Sequence, residues 1–118
     1  MDDLLLPGLC DRYPHLFSDS RLQEIACLPG WLPLIEALCQ TLQTHLDCHR
    51  QVPQVTVRQV KEKYGSLKFI FDGGDDFCRG AVALVEQVSL VTCEQCGAPG
   101  ELLGTRWFTV RCPVHAGS

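Results

Sequence analysis

Cys93-Glu-Gln-Cys96-Gly97 and Cys112-Pro-Val-His115 are the residues of this chain best suited to chemistry. They form a CxxC-G and a CxxH pair, with fifteen residues between Cys96 and Cys112. Two such pairs place three thiolates and one imidazole around a tetrahedral Zn²⁺. The two-residue spacer lets both sulfurs of a tight turn face one ion, and Gly97 suits a turn position with positive φ. Cys93, Cys96, Cys112 and His115 are therefore the expected ligands of one structural zinc. A lone CxxC also reads as a redox pair, but that reading wants a βαβ context, and here a CxxH pair follows. Four protein ligands close the coordination sphere, whereas catalytic zinc keeps a position for water. The metal is expected to staple a segment too small to bury a core of its own.

Other groups invite chemistry less strongly. His45, Cys48 and His49 (with Asp47 between) share a helix face at i, i+3 and i+4, yet no second ligand pair stands out to complete a site. Cys10, Cys27, Cys39 and Cys78 are unpaired and read as core thiols. Cys78 falls in the first turn of an expected helix, where a thiol can be activated. Asp72-Gly-Gly-Asp75-Asp76 lacks the alternating oxygen ligands of a calcium loop and reads as a turn plus N-cap, leaving an acidic edge where a basic partner could land. Arg58, Lys61, Lys63 and Lys68 cluster on one expected hairpin. They could contact phosphate, although a solvated sheet face explains them too. No phosphate loop, nucleophile elbow or carboxylate pair is present.

The elements that must position these groups follow from periodicity. Residues 1–28 offer only short pieces, with a helical turn near Leu9–Tyr13, Leu16 and Phe17 tucked onto a core, and a capped turn from Ser18 towards Cys27. Trp31, Leu34, Ile35, Leu38, Leu42 and Leu46 make one apolar stripe over a helix at 31–48. From Gln54 the period changes to two. Val55, Val57 and Gln59 are expected on one face, a turn at Gly65-Ser66, and a return strand with Leu67, Phe69 and Phe71 on one side. A second helix over 76–92 carries the expected core stripe Phe77, Ala81, Leu84, Val85, Val88 and Val91. It leads straight into Cys93, and a small hairpin over 101–110 returns to Cys112. The expected fold is α+β, with two main helices packed on an antiparallel β-hairpin and a C-terminal zinc-ribbon or treble-clef-like hairpin. The expected division is a core at 1–92 and a zinc knuckle at 93–118 packed on it.

The chain has 118 residues, 46% of them hydrophobic, and a net charge of −4. That suits one packed domain and gives no overall attraction to nucleic acid, but favours a protein with a basic surface. The start, Met1-Asp2-Asp3, carries acids where a secretory leader needs bases. No run approaches the roughly 20 apolar residues of a membrane span. A cytoplasmic location is expected, where eight cysteines favour metal and buried thiols over disulfides.

Val57-Arg-Gln-Val-Lys-Glu-Lys-Tyr-Gly-Ser-Leu-Lys-Phe69 resembles the VKEKFGGLRFY segment of a family of small, poorly characterised bacterial and phage proteins. Those proteins are similar in having a Trp-led helix upstream, as at Trp31, and a terminal CxxCG…CxxH knuckle, as at Cys93 to His115. The resemblance spans about residues 30–115, with Ser66 where the family motif has Gly. It brings no activity with it. Its phage and mobile-element setting implies an immunity, inhibitor or anti-defence role. The expected function is a non-catalytic protein-binding module, most concretely an acidic inhibitor or immunity protein that blocks a toxin. The alternative is a nucleic-acid-binding regulator using Lys61, Lys63, Lys68 and Arg106.

Overall fold

The computed structural model of the protein describes residues 5–22 and 24–116. The acidic start at Met1 to Leu4 and the last two residues of the knuckle segment lie outside them. The fold is α+β, and the described residues form three α-helices, a three-stranded mixed sheet and a two-stranded antiparallel sheet.

The N-terminal segment is more regular than its sequence implies. Leu5–Arg12 forms α1, and Leu16 and Phe17 are buried as expected. Instead of a capped turn running to Cys27, Ile25–Ala26 forms a short strand, β1, parallel to β2. A two-residue strand leaves no periodic signal, so only its partner reveals it.

Trp31 ends a 3₁₀ turn, Pro29–Trp31, and heads α2, Leu32–Cys48. Pro33 is harmless there, because first-turn N–H groups have no helical partner. The Trp31 side chain is fully buried. Removing about 200 Å² of an indole from water is worth about 5 kcal/mol. Its Nε1–H donates to the Thr92 carbonyl at 2.9 Å, so the indole buries no unmet donor.

The central hairpin is β2, Thr56–Lys63, and β3, Ser66–Asp72. The turn is Tyr64–Gly65, not Gly65-Ser66, with φ of 55° and 82°. That is the two-residue, positive-φ loop whose twist matches a hairpin. The strict alternation expected in β2 also breaks. Val57 pairs with Phe71 and Gln59 with Ile70, so Arg58 is an extra residue at a bulge. The bulge lets Val55, Val57 and Val60 all enter the core.

α3 runs from Asp76 to Ser89, shorter than the expected 76–92. It also presents a different face. Cys78, Val82 and Ser89 are buried, with Ala81 and Val85 packed beside them. Of the expected stripe, Phe77, Leu84, Val88 and Val91 are exposed. The reason lies in the neighbouring strand. Only one edge of β3 is paired with β2. The Leu67 N–H on its free edge donates to Ser89 Oγ at 2.9 Å, and the Phe69 N–H to Glu86 Oε2 at 3.0 Å. Buried donors need partners, so α3 turns inward the face that carries Ser89 and Glu86 among smaller apolar residues, and its bulkiest apolar row outward.

β4, Glu101–Leu103, and β5, Thr109–Arg111, form the small C-terminal hairpin. Val110 belongs to the same buried cluster as Trp31, Leu38 and Val60.

Candidate metal centre

Two backbone turns bring the four expected ligands together. In the first, the Gly97 N–H donates to the Cys93 carbonyl at 2.8 Å, with Gly97 at φ 81°. The Cys93 N–H in turn donates to the Ala98 carbonyl. In the second, β5 delivers Cys112, whose carbonyl accepts from the His115 and Ala116 N–H groups at 3.0 and 2.8 Å. Cys96 Sγ then lies 3.7 Å from Cys112 Sγ. His115 Nδ1 lies 3.6 Å from Cys93 Sγ and 3.2 Å from Cys112 Sγ. All four ligand atoms fall within 4.8 Å of one another.

These separations fit one tetrahedral ion. Zn–S bonds of about 2.3 Å and Zn–N bonds of about 2.0 Å place sulfurs about 3.8 Å apart and sulfur and nitrogen about 3.5 Å apart. The donors are tuned unevenly, with the Cys93 and Cys112 thiols shifted down and the Cys96 thiol shifted up beside Cys112 and Cys93. Burial pushes the Cys93 thiol up, but backbone N–H groups of Cys112, Cys96 and Gln95 and the His115 ring outweigh it, holding it at about 6. The His115 imidazole is shifted upwards, first by Cys112 and then by Cys93. Thiolate is the metal-binding form. Four protein donors would fill a tetrahedral sphere, as in structural sites.

The knuckle is braced in a way its local charge count does not reveal. Glu94, in the first ligand turn, is buried. Its Oε1 pairs with Arg111 Nη1 at 2.9 Å, and its Oε2 accepts from the Val110 N–H at 3.0 Å. The turn is thereby locked to β5. Gly30 seats the knuckle on the body. Its N–H donates to the Glu94 carbonyl at 2.8 Å, and a Cβ there would lie only 2.4 Å from the Cys93 carbonyl oxygen. Neither Glu94 nor Gly30 stands out in the sequence, because both act through residues distant along the chain.

The other expected groups divide. The His45 and His49 rings lie 4.5 Å apart, but with Asp47 and Cys48 they form no ligand cluster among the described residues. The His45 ring instead bonds Asp75 at 2.9 Å, with Cys78 also close by, while Asp47 accepts from Gln43. Asp75 is the N-cap of α3, accepting from the Cys78 N–H. The His45 hydrogen bond, aided by that N–H, holds the Asp75 carboxyl at about 2. Burial pushes the Cys78 thiol up, and pushes Cys27 and Cys39 up to about 12. These are core thiols, and Cys78 is no activated nucleophile. On the acidic edge Asp72 pairs with Arg58, Asp75 with His45 and Asp76 with Arg79, while Asp72 and Asp76 stay exposed. Of the basic cluster, Arg58 alone has a carboxylate partner among the described residues. No helix among the described residues is long and apolar enough to cross a membrane.

Comparison of the chain with protein-family models, curated proteins and solved structures found no match.

Proposed function

We propose that this chain is a zinc-stapled, non-catalytic protein-binding module whose outward α3 face meets the partner. The observation that carries the reading is the exposed row Phe77, Leu84, Val88 and Val91, with Leu84 65% exposed. Four large apolar side chains aligned over about 16 Å of helix and beyond are more than scattered surface residues. An amphipathic helix laid against a groove is a common mode of recognition. The net charge of −4 supports a target with a basic surface. An acidic inhibitor in the cytoplasm, of the kind that sits over a toxin, is the most concrete form of this reading. Eight unpaired thiols are in keeping with that reducing compartment. Zinc is the metal that a Cys₃His set of this geometry favours.

The test compares affinity captures from the native host with the zinc-loaded protein, Leu84→Asp, Val88→Asp and Trp107→Ala. A partner lost from both α3 variants and kept by Trp107→Ala supports the reading. Identical recovery with all four proteins sinks it.

A further inference from the structure

A cleft of about 360 Å³ opens where the central hairpin meets the knuckle. Its walls come from Lys61, Lys63 and Tyr64 on one side and Arg106, Trp107 and Phe108 on the other. Gly65 fixes the junction, because a Cβ there would lie 2.4 Å from Leu102 Cδ1 and 3.2 Å from Phe108 Cβ. A bare residue here lets the two hairpins approach closely, and its φ of 82° suits glycine as well. Two aromatic rings open into solvent beside the cleft, Tyr64 at 71% exposed and Trp107 at 81%.

Tyr64 is in the wrong place for stability. It holds φ of 55° in a turn that favours Asn or Gly. Left-handed backbone costs an ordinary residue about 1–2 kcal/mol. Strain of this kind, kept at an exposed position, points to use. The cations are also unspent. Arg12, Arg21, Arg58, Arg79 and Arg111 each hold a carboxylate. Arg50, Lys61, Lys63, Lys68 and Arg106 have no such partner among the described residues, and of these Lys61, Lys63 and Arg106 line the cleft. Lys61 and Lys68 stand directly opposite each other across β2 and β3, an arrangement that works against the sheet. Lys63 Nζ lies 5.8 Å from the centre of the Tyr64 ring. The one carboxylate in the cleft, Glu62, accepts from the Gly65 N–H and so braces the turn.

We propose that this cleft binds single-stranded nucleic acid, with bases stacked on Tyr64 and Trp107 and their phosphates held by Lys61, Lys63 and Arg106. Open aromatic faces beside unpaired cations are how non-specific single-strand sites are built. The cleft spans too few cations to hold a duplex through its backbone alone. The site uses none of the α3 residues proposed to meet a protein. The acidic remainder of the chain weakens the affinity and makes it depend strongly on salt.

The zinc-loaded full chain is titrated into a labelled oligodeoxythymidylate of about ten nucleotides at low salt, with anisotropy as the readout. Saturable binding is expected, with log K falling against log salt at a slope of about −2, or about 0.7 for each of three phosphates. Trp107 fluorescence should be quenched, while buried Trp31 keeps its emission. Trp107→Ala should weaken binding by about fivefold or more. Tyr64→Asn should make the protein more stable and the binding weaker, which no folding defect can imitate. Leu84→Asp should leave binding unchanged, which separates this site from the α3 face. Absence of binding at low salt overturns the proposal. So does affinity indifferent to Trp107→Ala and Tyr64→Asn, or a polyglutamate peptide that competes as well as the oligonucleotide and marks the cleft as a protein site.

Discussion

Gly30→Ala should loosen the whole knuckle, and its cost can be worked from the contact it disturbs. The added Cβ would sit 2.4 Å from the Cys93 carbonyl oxygen and 2.5 Å from the Glu94 carbonyl carbon. Both are backbone atoms, so no side chain can swing aside. The gap must open by about 1 Å, which overpacking studies price at about 1–3 kcal/mol. The same movement stretches the 2.8 Å bond from the Gly30 N–H to Glu94 past hydrogen-bond range, worth about 1 kcal/mol. Alanine recovers about 0.4–1 kcal/mol by restricting the unfolded chain. The net loss is about 1–4 kcal/mol, or a fall of about 10 °C in Tm for a domain of this size. Gly80→Ala supplies the contrast. Gly80 lies within α3 with nothing within 4 Å of its would-be Cβ, so alanine should add about 0.5–1 kcal/mol. Thermal and urea unfolding of the zinc-loaded proteins measure both. A Gly30→Ala protein as stable as Gly80→Ala would refute the claim that the knuckle is seated on bare backbone.

Three further outcomes follow from the site. Stripping the metal with a strong chelator should lower Tm and expose residues 93–116 to protease first, and native mass spectrometry should count one zinc per chain; unchanged melting contradicts the staple. Glu94→Ala leaves the enclosed Arg111 guanidinium and the Val110 N–H without their partner; the expected loss is about 3 kcal/mol in urea unfolding, and a loss under about 1 kcal/mol would show the pair to be solvated. The Asp75 carboxyl titrates at about 2, below its ordinary 3.8, so its contribution is fully present above about pH 4 and disappears as pH falls through 2; the gap in stability between wild type and Asp75→Asn should close over that window, and a gap constant with pH counts against the pairing with His45.

The metal ligands were legible in the sequence because a knuckle is local, and ligands two residues apart in a turn need no knowledge of the rest of the fold. α2 was legible for a similar reason, since Ile35, Leu38 and Leu42 form one stripe with no rival. α3 was not. Its sequence carries two apolar rows, and the bulkier one, through Leu84 and Val88, is the row left outside. The choice was made by the N–H groups of Leu67 and Phe69 on another element, which demand Ser89 and Glu86. The β2 bulge at Arg58 was not expected at all, because alternation alone does not register an extra residue, and the Tyr64–Gly65 turn falls one residue before the expected Gly65-Ser66. The Glu94–Arg111 pair was invisible as structure, since a count of charges cannot tell a buried pair from a solvated one.

The way α3 lies along β3 decides how this protein can be approached. Chains that recognise peptides by lending them a sheet edge need a free row of backbone donors and acceptors. Here one rim is plugged by Ser89 and Glu86, and the opposite rim is a strand of only two residues, Ile25–Ala26. The central sheet offers little purchase for an incoming strand, whether from a ligand or from another copy of itself.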